Sequence, residues 1–215
     1  MMGDHMATLD AADVLAFADA SQWESWLAAN HGRSTGVWLK IAKKGSGRRS
    51  VTIGEALDVA LCHGWIDSQR RTCDEHHYLQ RYSPRRASSA WSQVNVDKAE
   101  ALIAAGRMRE PGLAAIRAAR ADGRWEAAYQ PQREVTVPDD LAAALGRDER
   151  ARDRFDRLGR TERYALLLRL MKVRTPGGRA VQLRRIVASL SRPPGAGPPA
   201  ALSPTRAPRR RSPPA

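Results

Sequence analysis

The 215-residue chain has only two cysteines, Cys62 and Cys73. That is too few for a disulfide framework and suits a reducing compartment. No run of about 18 apolar residues occurs, so no spanning helix is expected. The opening "MMGDHMATLDAADVLAFADA" lacks a basic segment followed by a continuous apolar one; Asp4, Asp10, Asp13 and Asp19 interrupt it. A secretory signal is therefore not expected, and a cytoplasmic location is the default. Phosphate-cradling P-loop, dinucleotide G-x-G-x-x-G, G-x-S-x-G elbow and H-E-x-x-H signatures are all missing. No internal repeat is visible. No catalytic residue, cofactor or metal is expected on these grounds.

What the chain does have is positive charge: 36 Lys and Arg against 23 Asp and Glu, a formal net charge of +13. Five arginines and no acid lie from Arg192 onward. Such a balance favours anionic partners, although a background of arginine unrelated to function reads the same way. The last stretch, "SRPPGAGPPAALSPTRAPRRRSPPA", holds eight of the thirteen prolines and almost nothing large and apolar. It reads as a disordered, Pro/Arg-rich tail over 192–215 that can touch nucleic acid.

The rest divides by pattern. Residues 1–8 read as a flexible N-terminus, 9–135 as an α+β domain and 136–191 as a helical region. "SQWE" at 21–24 predicts a capping box on Ser21, opening a helix that stops at Asn30-His31-Gly32. "GVWLKIAKK" alternates, with Val37, Leu39 and Ile41 on one face of a half-buried strand and Trp38 and Lys40 on the other. "TIGE" at 52–55 is a second capping box, and Gly64 fits the left-handed position beyond that helix. "WIDSQRR" and "HHYLQRYS" read as short strands. Asn95 is the expected N-cap of the next helix, and Pro111 falls in the first turn of the one after it. From Pro138 the pattern is only helical. Strands and helices do not alternate in regular βαβ units, so the expected fold is α+β: a small antiparallel sheet with flanking helices, followed by an all-α C-terminal region.

Several stretches could carry chemistry. "KKGSGRRS" at 43–50 is glycine-rich and basic, and reads as a turn or as a weak anion nest. Cys62, His63, Cys73, His76 and His77 lie close in sequence, yet Cys62 falls within a helix and reads better as a small core residue. Asp67 has Arg70 and Arg71 nearby, which predicts a salt bridge rather than a general acid. The densest stretch is "LQRYSPRRASSAWSQVN" at 79–95, with Arg81, Arg85 and Arg86 beside Tyr82 and Trp91 and a helix start at Ser92 to Asn95. Forked donors and flat rings make a surface for carboxylate or phosphate. The alternative is a loop in which Tyr82 and Trp91 anchor the core and the arginines are solvated.

"GVWLKIAKKGSG", "EALDVALCHGWID", "RYSPRRASSAWSQVNVDKAEALIAAGRM", "ADGRWEAAYQPQREVTVPDDLAAAL" and "RYALLLRL" together resemble the bacteriocin-protection, YdeI/OmpD-associated family, over about residues 15 to 190. Ser68 stands where that family usually has glycine, Ser83 where it has threonine, and His63 where it has an aromatic. "KVRTPGGRAVQLRRIVASL" departs from the family's Ala-Lys-x-x-x-Thr-Arg-x-x-Arg pattern. The resemblance implies a small bacterial cytosolic protein linked by name to bacteriocin resistance and envelope stress, and it brings no reaction with it. Carried onto this sequence, it gives a candidate ligand surface of Trp65, Asp67, Arg70, Arg81, Pro84, Arg85, Arg86, Trp91, Ser92 and Asn95. In this reading Arg85 and Arg86 bind an anion, Trp91 stacks and Asp67 holds Arg70 or Arg81. The expected function is non-enzymatic binding of an anionic small molecule or acidic protein. Nucleic-acid binding by core and tail is the alternative, and an enzyme with an unrecognised site the second.

Overall fold

A computed structural model of the protein describes residues 14–192. The expectations for the N-terminal residues and for the tail beyond Arg192 lie outside the described residues. Two compact units divide between Thr136 and Val137.

The first unit begins with strand β1 (Val14–Leu15), then helix α1 (Ala20–Asn30), strand β2 (Val37–Ala42), helix α2 (Ile53–Cys62) and the hairpin of β3 (Trp65–Thr72) and β4 (His77–Pro84). Helices α3 (Gln93–Ala104) and α4 (Glu110–Ala121) follow. The sheet order is β1-β2-β4-β3. The α+β class and the helical C-terminal region are as expected. The sheet, however, is mixed: β1 runs parallel to β2, with Val14 opposite Trp38, while the remaining pairs are antiparallel. β1–α1–β2 is thus a parallel crossover, which two residues of strand are too short to announce by alternation.

Local signals explain most boundaries. Thr52 accepts from the Glu55 amide while the Glu55 carboxylate accepts from the Thr52 amide, the reciprocal arrangement expected at α2. Two caps differ from expectation. At α1 the N-cap is Asp19, whose carboxylate accepts from the Gln22 amide and the Ser21 hydroxyl. A carboxylate at the helix start also complements the dipole, so Asp19 displaces Ser21 from the role. At α3 the N-cap is Ser92, which accepts from the amide of Asn95.

Packing then follows the strand alternation. Trp23, Leu27, Val37, Leu39, Ile41, Val51, Trp65 and Tyr82 form one buried cluster under α1 and α2. Leu61, Cys62, Trp91, Val96, Leu102, Ile116 and Trp125 form a second around α3 and α4. The start of α4 comes against the end of α2 by backbone: a Cβ on Gly112 would run into the carbonyl oxygens of Leu61 and Cys62. The chain after α4 returns to the start of α3, where the Tyr129 amide donates to the Trp91 carbonyl at 3.0 Å and the Gln93 amide to the Tyr129 carbonyl at 2.9 Å.

The second unit contains α5 (Asp139–Gly146), α6 (Glu149–Arg157), α7 (Arg160–Met171) and α8 (Pro176–Ser191). Leu141, Leu145, Phe155, Leu167, Leu170, Ile186 and Leu190 are its buried residues of any size. Arg179 grips Asp140 with two hydrogen bonds, 2.6 and 3.0 Å, tying α8 to α5. Among the described residues no helix is long and apolar enough to cross a membrane.

Candidate anion-binding site

Successive residues of a strand face opposite sides of its sheet. Along β4, Gln80 and Tyr82 therefore point to the buried face while Arg81 and Ser83 point to the other. Pairing brings β2 and β3 into phase. Trp38 lies opposite Arg81, and Ile66 lies opposite Ser83. On this outer face Trp38 is only 3% exposed. The guanidiniums of Arg71 and Arg81 lie over its ring at 4.9 and 5.8 Å. Trp38 was expected on the solvent side of a half-buried strand; side-chain cations cover it instead.

Next to this stack is a hollow of about 430 Å³. Arg81 and Arg86 line it, with Thr35, Ser68, Gln69, Ser83 and Ser89 and the apolar Ile66 and Pro84. No carboxylate lines it. Among the described residues neither Arg81 nor Arg86 has an ion-pair partner. Two backbone devices place these heads. Gly36 has φ +131°, and a Cβ there would lie 2.9 Å from Arg81 Nη2 and 2.7 Å from the Tyr82 carbonyl. Arg86 is held by a turn in which its amide donates to Ser89 Oγ at 3.0 Å and the Ser89 amide donates back to its carbonyl at 2.9 Å.

The other sequence candidates lie elsewhere. Trp65 is 1% exposed, its indole N–H donating to the His31 carbonyl at 3.2 Å. Trp91 is 2% exposed, packed against Trp125 with ring centroids 4.8 Å apart. The Arg85 guanidinium lies over its ring, 3.6 Å from the centroid. A ligand has no open face of Trp91 to stack on. Arg85 Nη1 donates to the Ala90 carbonyl at 3.3 Å, while Nε and Nη2 are buried without a partner. Burial pulls this guanidinium down to about 10, still charged at neutral pH. Ser92 spends its oxygen on the α3 cap, and Asn95 supplies the amide that it caps.

Asp67 lies opposite Tyr82 on the inner face, across the sheet from Arg81. It makes no ion pair with Arg70 or Arg81, contrary to the expected bridge. Arg70 instead donates to Gln80 Oε1 at 3.0 Å and lies 4.5 Å over the Tyr78 ring. Desolvation therefore dominates and pushes the Asp67 carboxyl above its usual value, with Arg85 and Arg70 opposing the shift. The Tyr82 hydroxyl is likewise buried without a partner.

Of the ten candidates, the structure brings Arg81, Pro84 and Arg86 to one concavity, and only the two arginines offer it charge. The hydroxyls that accompany them were not among the candidates. Ser68 and Ser83 stand out in the sequence only as departures from the family pattern. The alternation along β4 was the available signal, since it places 81 and 83 on one face.

The glycine-rich loop makes a separate hollow of about 510 Å³ lined by Lys43, Lys44 and Arg48, with Thr52 at the start of α2. The Glu55 carboxylate already occupies the Thr52 amide, so this helix start carries its own anion. The sequence neighbours Cys62 and Cys73 are a buried core thiol and an exposed one. Asp74 organises the β3–β4 turn, accepting from the His76 and His77 amides at 2.8 Å and pairing with Lys40 at 3.0 Å.

The fold and this hollow define an α+β domain with an arginine–hydroxyl depression on its outer sheet face, followed in sequence by a four-helix unit. Residues 134–192, just over a quarter of the chain, match the family described as Bacteriocin-protection, YdeI or OmpD-Associated. Residues 15–115 match a different family model, described as Domain of unknown function (DUF8412). No curated protein and no solved structure matches the chain.

Proposed function

We propose that the protein is a cytoplasmic, non-enzymatic binder of small oxyanions or of acidic groups on a partner, acting in protection against bacteriocin or envelope stress. One observation carries the binding role: two guanidiniums without ion-pair partners, Arg81 and Arg86, share a hollow with four hydroxyl residues and no carboxylate. Arginine presents its donors as a planar fork that matches phosphate and carboxylate oxygens. Serine and threonine hydroxyls donate to the remaining lone pairs. The protective role rests on the family description alone. Titration calorimetry with inorganic phosphate tests the binding. Arg81→Ala and Arg86→Ala are each expected to weaken it about ten-fold or more, as loss of a charge-assisted hydrogen bond implies. Phosphate bound equally well by the double variant rejects this site.

A second reading, nucleic-acid binding, is supported by a separate feature. Residues 137–192 hold fourteen Lys and Arg against seven acids. Arg150, Arg154, Arg157 and Arg192 line a hollow of about 730 Å³ with Asp153 as the one acid. Such binding would weaken steeply with salt. No retardation of duplex DNA or RNA at low salt removes it.

A further inference from the structure

The hollow does not end at the face of the sheet. Three of its residues, Ile66, Ser68 and Gln69, belong to β3, the last strand in the order β1-β2-β4-β3. Residues 68–72 of β3 are exposed, and among the described residues no strand pairs with the far side of β3. An unpaired strand edge is a row of free amides and carbonyls, a template for another strand.

Soluble proteins blunt such edges with charged side chains or bulges. β3 has both, but neither closes it. The arginines are turned back across the sheet: Arg70 lies over Tyr78 on the inner face, and Arg71 over Trp38 on the outer. Their heads cover rings of neighbouring strands, leaving the outer backbone of β3 uncovered. The register shift between Asp67 and Arg70 falls at Ser68 and Gln69, which puts the irregularity at the mouth of the hollow. From there to Thr72 the edge runs regularly.

A strand laid along this edge would send every second side chain to the outer face. There it would face the hollow with its Arg81 and Arg86 and no lining carboxylate. Charge complementarity then selects acidic residues at alternate positions.

We propose that β3 accepts an extended acidic peptide segment of a partner protein as a fifth strand, its backbone pairing with the β3 edge and its alternate Asp or Glu side chains reaching Arg81 and Arg86. This rests on the anion-binding reading of the hollow and names its ligand as a strand-forming acidic chain rather than a free ion. Main-chain pairing supplies the affinity in this mode and the alternate side chains the selectivity.

The test uses the full chain and a fluorescent peptide of about eight residues, Glu alternating with Thr, long enough for a typical strand. Two companions carry N-methyl groups on the odd or on the even amides, leaving charge unaltered and removing one set of backbone donors. The parent peptide is expected to bind, and one methylated version to bind about ten-fold weaker or worse, as loss of several hydrogen bonds implies. Arg81→Ala/Arg86→Ala should weaken the parent to a similar degree. Hydrogen exchange at the amides of 68–72 should slow in the complex. Equal binding by all three peptides, unaltered exchange, or full affinity for the double variant overturns the proposal. Phosphate is titrated in parallel. If it binds and the peptide does not, the strand proposal falls alone; if neither binds, the anion reading falls with it.

Discussion

The two faces of the sheet carry the same residue types, arginine and aromatic rings, in opposite arrangements. On the inner side Trp23, Trp65 and Tyr82 are sealed, and in the second buried cluster, beyond the end of β4, Arg85 lies over Trp91 with two donors unpartnered. On the outer side Trp38 is roofed by cations, and Arg81 and Arg86 keep their heads at a hollow. Burial converts an arginine into a packing element with an electrostatic cost; a half-open position leaves it available to a ligand. Adjacent residues Arg85 and Arg86 fall on different sides of that divide.

The comparison predicts that inner substitutions change stability and outer ones change binding. The largest effect is expected from Trp23→Ala. Its side chain is fully buried and its indole N–H donates to the Ala56 carbonyl at 3.1 Å. A loss of about 3–5 kcal/mol by urea unfolding is expected, without loss of phosphate affinity in the folded fraction. Gly36→Ala is the variant that should cross the divide. A Cβ would meet the Tyr82 carbonyl and Arg81 Nη2, and the positive φ itself costs about 1–2 kcal/mol, so stability and phosphate binding should fall together.

Arg85→Met keeps bulk against Trp91 while removing a buried cation and its unpartnered donors. Such replacements are often neutral or stabilising, and a gain of about 1 kcal/mol is expected, with binding unchanged. A large loss of phosphate affinity in Arg85→Met would erase the distinction between the two arginines.

The smallest effect is a pH dependence. Burial raises the folded-state value of Asp67 above its unfolded value near 3.8. The folded protein then binds the proton more tightly, so stability declines as pH rises between the unfolded and folded values, and the penalty is complete above the latter. Asp67→Asn should stabilise the protein at pH 7, with the gain shrinking as pH falls through the folded value and gone below about pH 4, where both states hold the proton. A gain independent of pH would assign the effect to something other than ionisation.

Much of the fold was legible because it rests on local chemistry. Thr52 with Glu55 marked α2, Gly64 (φ +72°) marked the turn beyond it, and alternation through Val37, Leu39 and Ile41 gave β2 its buried face. β1 was not legible, since two residues show no period. Asp19 and Ser92 took the caps from Ser21 and Asn95 because neighbouring polar side chains compete for the same amides, and tertiary packing decides among them. The site was legible only in composition. Proximity in sequence grouped Arg81, Arg85, Arg86 and Trp91, whereas the pleat separates neighbours and joins alternate residues. Strand register, a long-range property, brought Ser68, Ser83 and Arg81 together.

Where α2 ends and α4 begins, hydrogen is the only substituent that fits at Gly64 and Gly112: a methyl on the former would sit 2.8 Å from the Pro111 oxygen. Any census of which positions tolerate change would score this pair among the most intolerant in the molecule. Yet neither lines the arginine hollow, so their invariance among relatives would record how closely two helices must approach, and a search for the binding residues guided by invariance alone would be led to the wrong place.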